Sequence, residues 1–283
     1  MHLVRRLVQW LVLVWLAVAA GGAASADALR IGLTPVFLDE QAAFVERWRA
    51  YLQQKLRRPV SFVQRANYRE IVDLLREDKI DFAWVCGYPY VRYRPQMKLL
   101  AVPVYRGRPL YQSYIIVPAS DTHSAGLSDL RGKVFAFSDP DSNSGYLYPQ
   151  FALMDAKDSP TSFFRRTFFT WAHRKVVESV AIGLAQAGAV DGYVWETLNR
   201  THPALTQRTR IIQKSPEFGF PPFVARASIP ERDFAQMQKV LLEMQREPAG
   251  TMLLSSLDLD GFVAGDPRLF GGIEKMSGRV NGH

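Results

Sequence analysis

The chain has few of the residues that build metal, redox or covalent catalytic sites. It contains one cysteine, Cys86, and five histidines among 283 residues. One cysteine excludes an intramolecular disulfide and any metal or redox site that needs several thiols. Because Cys86 ends an apolar run, it is expected to be a small buried hydrophobe. The sequence has no HExxH motif and no Gly-x-Ser-x-Gly motif, so we expect no metal, no cofactor and no catalytic residue.

Blocks of basic residues, internal repeats and low-complexity segments are also lacking. Lys and Arg total 35 and Asp and Glu total 27, which gives a formal net charge of +8. Residues 1–26 hold two arginines and no acid, so the rest of the chain carries +8 − 2 = +6. The scattered basic residues argue against a nucleic-acid partner. Their positive field either draws small anions towards a cleft or belongs to an ordinary solvated surface.

The N-terminus has the pattern of a secretory signal peptide. Arg5 and Arg6 precede an apolar run at 7–20, and residues 24–26 (Ala-Ser-Ala) offer a cleavage site before Asp27. The run is shorter than the roughly 20 residues of a membrane-spanning helix, although an uncleaved anchor is the alternative. We therefore expect residues 1–26 to be removed and the mature protein to be periplasmic.

Apolar runs and helical periodicities alternate along the rest of the chain. This alternation predicts an α/β fold with mixed, mainly parallel sheets flanked by helices. Strands are predicted at 29–34, 60–63, 80–85, 99–104, 111–117, 133–137, 168–171, 190–195, 210–212 and 223–229. Helices are predicted at 40–56, 68–76, 146–156, 175–186, 230–245 and 248–257.

Two breaks, at 118–121 and at the proline pair 221–222, divide this pattern. They predict one lobe made of residues 27–119 and 224–283, and a second lobe made of residues 120–223. Two such lobes enclose a cleft, and ligands of α/β sheets bind beyond the carboxyl ends of the strands. Polar or aromatic residues follow three predicted strands, at 34–35, 87–89 and 138–144. We expect all three to face the cleft.

The segment 138–149 (SDPDSNSGYLYP) is the strongest local signal of a binding site. It places Ser142, Asn143, Ser144 and Gly145 at the start of a predicted helix. There the first N–H groups lack partners and the helix dipole is positive, which favours an anion. The alternative is an ordinary N-cap, for which one of these residues suffices.

These segments resemble the periplasmic substrate-binding proteins of ABC importers for phosphonate, phosphite and phosphate. Four groups of stretches, within residues 29–244, carry the resemblance: 29–35, 67–71 with 79–84, 139–149, and 163–166 with 172–173 and 190–191. The resemblance implies a two-lobe type II periplasmic binding protein fold with the ligand between the lobes. It also implies a small oxyanion ligand, an inner-membrane ABC permease as partner, and a monomer.

The resemblance implies specific ligand contacts by position. They are Ser142, Asn143, Ser144, Gly145, His173, Tyr68 and, with a weaker match, Tyr111 and Tyr88. Asn143 replaces the threonine usual at the centre of the loop, so an amide stands in place of a hydroxyl. Each residue also has a plainer explanation: His173 as a helix cap, Tyr68 as an amphipathic helix residue, and Tyr111 as a core strand residue.

One departure from the family bears on the substrate. Relatives that take aminoalkyl phosphonates place a carboxylate near the second crossing, whereas residues 220–223 here are Phe-Pro-Pro-Phe. A buried ammonium without a partner would be costly. We therefore expect phosphate, phosphite or an alkyl phosphonate without an amine. Asp191 is assigned to the general Val-Asp strand pattern.

Two other function classes stay open at this point. A sensing module would bind the same ligand and signal through a membrane kinase or receptor. A secreted serine hydrolase would use Ser142 or Ser144 with His173 and an aspartate. The missing nucleophile elbow argues against the hydrolase.

Overall fold

The computed structural model describes residues 27–34 and 42–282. The predicted signal peptide, Pro35 and the first residues of the helix predicted from Glu40 lie outside the described residues. In the part that is described, no helix combines the length and the apolar character needed to cross a membrane.

The described chain alternates strands and helices. The strands are β1 Leu29–Leu33, β2 Val60–Gln64, β3 Phe82–Trp84, β4 Met97–Val104, β5 Leu110–Tyr111, β6 Ser113–Pro118, β7 Val134–Phe137, β8 Arg166–Phe169, β9 Ala187–Asp191, β10 Thr209–Lys214, β11 Phe218–Gly219, β12 Phe223–Arg226 and β13 Gly261–Ala264. The α-helices are α1 Ala42–Leu56, α2 Tyr68–Arg76, α3 Gly87–Arg92, α4 Tyr148–Asp155, α5 Pro160–Phe163, α6 His173–Ala181, α7 Gly192–Thr201, α8 Pro203–Thr206, α9 Glu231–Glu243, α10 Pro248–Ser256 and α11 Gly271–Asn281.

Two sheets form the centres of two lobes. The first sheet has six strands in the order β13-β4-β12-β3-β1-β2, and the second has five in the order β10-β6-β9-β7-β8. Neighbours β1, β2 and β3 are parallel, as are β7, β8 and β9. β12 and β6 run against their neighbours, and each is the first strand after a crossing from the other sheet. The sheets are therefore mixed, with most strands in one direction.

The chain crosses between the lobes at 105–112 and at 215–222. These crossings pair with each other through a small antiparallel ribbon of β5 and β11. The second crossing contains the proline pair 221–222. The first lies earlier than the boundary predicted after residue 119, because β6 hydrogen-bonds to β9 and β10 of the second sheet. Pro118 thus ends a strand of the second lobe.

Local sequence patterns account for most elements. The predicted stripe of α1 buries Phe44, Trp48 and Leu52, and the stripe of α9 buries Met237 and Leu241. A correction concerns 190–195, which was predicted as one strand. The strand ends at Asp191 because that side chain accepts hydrogen bonds from the N–H groups of Tyr193 and Val194 and starts α7. Helices α3, α5, α7, α8 and α11 and strands β11 and β13 were missed.

Candidate functional site

The segment predicted to hold an anion is a loop followed by a single wide helical turn. β7 ends at Phe137, and a π-helical turn runs over Asn143–Leu147 before α4 begins. Ser142 caps this turn: its Oγ accepts from the N–H of Gly145 at 3.0 Å, and its carbonyl accepts from Leu147. The capping function predicted as the alternative is therefore carried by Ser142, and its neighbours are not needed for it.

Several polar atoms of this loop are buried without a partner. They are Ser138 Oγ, Asn143 Oδ1 and Ser144 Oγ, on side chains that are wholly buried. Leaving such a group unpaired in a protein interior costs about 1–3 kcal/mol. Native structures rarely tolerate several together unless the site serves a ligand or another function. The two free hydroxyls, of Ser138 and Ser144, are donors of the kind that bind an oxyanion at a helix start, whereas Asn143 Oδ1 can only accept.

His173 stands beside the loop as a neutral hydrogen-bond donor. Its Nδ1 accepts from the backbone N–H of Asp191 at 3.0 Å, so the ring proton lies on Nε2. Nε2 is 3.4 Å from Ser142 Oγ. Burial lowers the pKa of His173 to about 3, which keeps the imidazole uncharged at neutral pH. His173 therefore offers one N–H to the loop rather than a positive charge.

A small cavity lies next to His173 between the two lobes. Its volume is about 10 Å³, close to the minimum that holds one water molecule. The first lobe, the second lobe and the second crossing all contribute to its wall, which consists of Thr34, Tyr68, Trp84, Cys86, His173, Asp191, Tyr193, Phe220 and Pro221. Thr34, Cys86 and Asp191 lie at or just beyond strand ends, as expected for an α/β binding site.

Apart from Tyr88, the predicted site residues fall into three groups. Ser142, Asn143, Ser144 and Gly145 form the loop, while His173 and Tyr68 line the cavity. Tyr111 is buried one step away, where its hydroxyl accepts from Asn143 Nδ2 at 2.9 Å.

Tyr88 is not brought to the cavity. It lies on α3, and its hydroxyl is 3.2 Å from Asn281 Nδ2 on α11. Its position just after a strand end suggested the cleft, but the first turn of α3 directs its hydroxyl towards α11.

Sequence reasoning missed several residues of the cavity wall, and two of them bear on its chemistry. Asp191 lines the cavity, although it was assigned only to a strand pattern. Cys86 also lines it, and its sulfur accepts from the N–H of Asn143 at 3.2 Å. Burial raises the pKa of Cys86 to about 11, so this thiol is protonated and unreactive at neutral pH. The strand-end position of both residues was the available signal.

Carboxylates of the loop join the second lobe to the first. Asp139 accepts from the backbone N–H of Tyr68 at 3.1 Å, and burial raises the pKa of Asp139 to about 6. Asp141 accepts two hydrogen bonds from Arg69, and Arg92 is 3.5 Å away. The loop is thus fastened to α2 and α3 while the lobes are together. The described residues contain no group of three or more His, Cys, Asp and Glu side chains suited to a metal ion.

Comparisons with known proteins agree with this architecture. Residues 31–270 match a family model described as "ABC transporter, phosphonate, periplasmic substrate-binding protein". The chain is 23% identical over 242 residues to a probable ABC transporter phosphite binding protein of Prochlorococcus marinus, covering 81% of this chain and 82% of that protein. It is 25% identical over 247 residues to the phosphonates-binding periplasmic protein of Escherichia coli, covering 84% and 72%.

A solved structure extends the comparison to the fold. PhnD1 from Prochlorococcus marinus, in complex with methylphosphonate, superposes with a TM-score of 0.82 at 21% identity. The match covers 90% of this chain and 98% of the other. The two-lobe α/β architecture predicted from the sequence is therefore confirmed.

Proposed function

The chain belongs to the family of periplasmic substrate-binding proteins of phosphonate ABC transporters, and from that premise we propose that its own ligand is a small phosphorus oxyanion. Phosphate, phosphite and short alkyl phosphonates without an amine form this ligand class. The protein holds the anion between its lobes as a monomer and presents it to an inner-membrane permease. The name of one relative mentions phosphite, and a solved relative holds methylphosphonate.

The observation that carries the proposal is the unpartnered hydroxyl of Ser144 in the loop whose Ser142 lies beside His173. Ser144 Oγ is buried without a hydrogen bond, and Ser142, two residues earlier, is within reach of His173 Nε2. A loop with a free hydroxyl donor next to an imidazole N–H suits an anion, because hydrogen bonds to a charged acceptor are about twice as strong as neutral ones. Tyr68 of the first lobe and His173 of the second line one cavity beside this loop.

The surroundings of the cavity support a ligand without an ammonium group. Phe220 is fully buried and forms part of the wall, and the carbonyl of Pro221 accepts from Trp84 Nε1 at 2.9 Å. In relatives that bind aminoalkyl phosphonates, a carboxylate lies near the second crossing. In this chain Phe220 and Pro221 stand there instead.

Binding without catalysis is the function that the hydrogen bonds favour. A serine nucleophile needs an imidazole whose Nε2 is free to take its proton, with Nδ1–H held by a carboxylate. Here Nδ1 of His173 accepts from a backbone N–H, so Nε2 already carries the proton. Ser142 and Ser144 thus lack a general base at His173. Import is the role of the family, and a sensor partner would require the same capture step.

A ligand screen tests the proposed function. Thermal shift and calorimetry on residues 27–283 would compare phosphate, phosphite, methylphosphonate, 2-aminoethylphosphonate, sulfate and nitrate. A ligand that binds only the native state raises its melting temperature. We expect phosphate, phosphite or methylphosphonate to bind most tightly, and we expect Ser144→Ala to weaken that binding. Tight binding of 2-aminoethylphosphonate alone, or of none of the phosphorus anions, would contradict the proposal.

A further inference from the structure

Asp191 places a buried carboxylate in the wall of the cavity that adjoins the anion loop. Its Oδ1 accepts from the N–H groups of Tyr193 at 2.8 Å and Val194 at 3.4 Å. Oδ2 has no hydrogen bond within the described residues. The backbone N–H of Asp191 donates to His173 Nδ1. The Asp191 carboxyl and the His173 imidazole therefore lie on the same side of the cavity.

No cation among the described residues compensates Asp191. Within 27–34 and 42–282, no Lys, Arg or His forms an ion pair with it. The titratable groups that face it are neutral at pH 7; they are His173, Tyr68, Tyr105, Tyr111, Tyr193 and Cys86. Burial raises the pKa of Asp191 to about 7. A second negative charge placed beside an ionised Asp191 would meet strong repulsion in this low-dielectric setting.

We propose that Asp191 determines which protonation state of the ligand binds: the complex holds a proton between Asp191 and an oxygen of the phosphorus anion. This inference rests on the proposed function and specifies its site. The shared proton converts repulsion between two anions into a charge-assisted O–H···O hydrogen bond. Binding of a fully deprotonated oxyanion then requires uptake of one proton from solvent.

His173 is not the group that takes up this proton. A second ring proton would sit on Nδ1 and face the N–H of Asp191, replacing a hydrogen bond with a contact between two donors. The proton is therefore placed on the Asp191–ligand pair, and His173 Nε2, in the same cavity wall, stays available as a donor to another oxygen of the ligand.

The test is isothermal titration calorimetry of phosphite and methylphosphonate from pH 6 to pH 9, in pairs of buffers with different ionisation enthalpies. Above about pH 8, the native protein is expected to take up close to one proton per ligand, with Kd rising about tenfold per pH unit. Asp191→Asn keeps the helix cap and supplies an N–H donor, so it should bind the dianion with little proton uptake and a nearly flat Kd. Asp266→Asn is the matched control, since Asp266 also caps a helix but is absent from the cavity wall.

The other possible results contradict either the role of Asp191 alone or the proposed function as well. Binding without proton uptake, or an unchanged pH slope in Asp191→Asn, overturns the role of Asp191 and leaves the proposed function standing. Preferential binding of 2-aminoethylphosphonate that is lost in Asp191→Asn would identify Asp191 as the partner of an ammonium group and also overturns it. If no phosphorus anion binds at any pH, the proposed function fails together with the inference.

Discussion

Arg69 and Asp141 form a bidentate ion pair between the lobes. Arg69 Nε lies 2.7 Å from Asp141 Oδ2, and Nη2 lies 3.0 Å from Oδ1. Arg69 belongs to α2 of the first lobe, whereas Asp141 immediately precedes the Ser142 cap of the anion loop. The Asp141 side chain is 3% exposed and Arg69 is 47% exposed. Contact between the lobes and order in the anion loop therefore depend on the same carboxylate.

The first prediction is that this pair couples lobe closure to ligand binding. Arg69→Gln and Asp141→Asn should each weaken ligand binding several-fold, because the closed form loses a charge-assisted contact. Since Arg69 is half exposed, a coupling of only about 1 kcal/mol is expected. A double-mutant cycle by calorimetry measures it. Arg49→Gln, which breaks an exposed pair within α1, is the control, and additive effects of the two single variants would contradict the prediction.

The second prediction separates two serines of the same loop. Ser142 Oγ accepts from Gly145, so Ser142→Ala should lower stability by about 1 kcal/mol through loss of the cap. Ser144 Oγ has no partner, so Ser144→Ala should leave stability unchanged or raise it. Ligand affinity should nevertheless fall at least tenfold in Ser144→Ala, since a bound oxygen would lose a donor. Denaturant unfolding and calorimetry measure the two quantities, and a destabilised Ser144→Ala that keeps full affinity would refute this assignment.

Local signals predicted most of the architecture because they concern neighbours in sequence. The stripes of α1 and α9 and the proline pair at 221–222 follow from short-range patterns. The direction of β6 does not, because its partners β9 and β10 come later in the chain. The predicted boundary after residue 119 failed for this reason.

At the site, too, local sequence patterns did not predict contacts between residues that are distant in sequence. The start of the anion loop was evident from its composition. The proximity of Asp191 to His173 depends on the return of β9 beside β7, which no local pattern encodes. Likewise, Asn143, the first residue of the π-helical turn, is held by hydrogen bonds to Cys86 and Tyr111, which are far away in sequence.

The third prediction concerns His173 and pH. Its pKa in the folded state is about 3, below the ordinary value of 6.5, so the unfolded chain binds the proton more tightly. The stability that His173 contributes is thus fully present above about pH 6.5 and is lost as pH falls towards 3. The raised pKa of Asp191 acts with the opposite sign, since its folded form favours the proton.

A variant isolates the contribution of the histidine. Melting temperatures of the native protein and of His173→Gln would be compared from pH 7 to pH 4. The variant should be the less stable at pH 7, and this difference should shrink steadily as the pH is lowered. In NMR spectra the His173 ring should stay neutral down to about pH 5. A His173 ring that titrates near pH 6.5 would show that the buried, neutral state is wrong.

The fourth prediction tests how closely the loop is packed at Gly145. A Cβ at this position would lie 1.8 Å from Ser138 Oγ, 2.7 Å from Ser138 Cβ and 3.1 Å from His173 Cε1. Gly145→Ala should therefore destabilise the fold by about 1–3 kcal/mol and weaken ligand binding, because the loop must move away from His173.

Second-site changes at Ser138 show whether this overlap is the cause. Ser138→Ala removes only the hydroxyl and should restore part of the stability of Gly145→Ala, since the 2.7 Å contact remains. Ser138→Gly removes both atoms and should restore more of it, less the cost of an added glycine. Gly278→Ala in α11 is the matched control, with open space around its Cβ, and should be neutral or slightly stabilising. Equal rescue by both Ser138 variants would show that the steric clash is with the hydroxyl alone. No rescue by either variant would show that the destabilising clash is with the His173 ring.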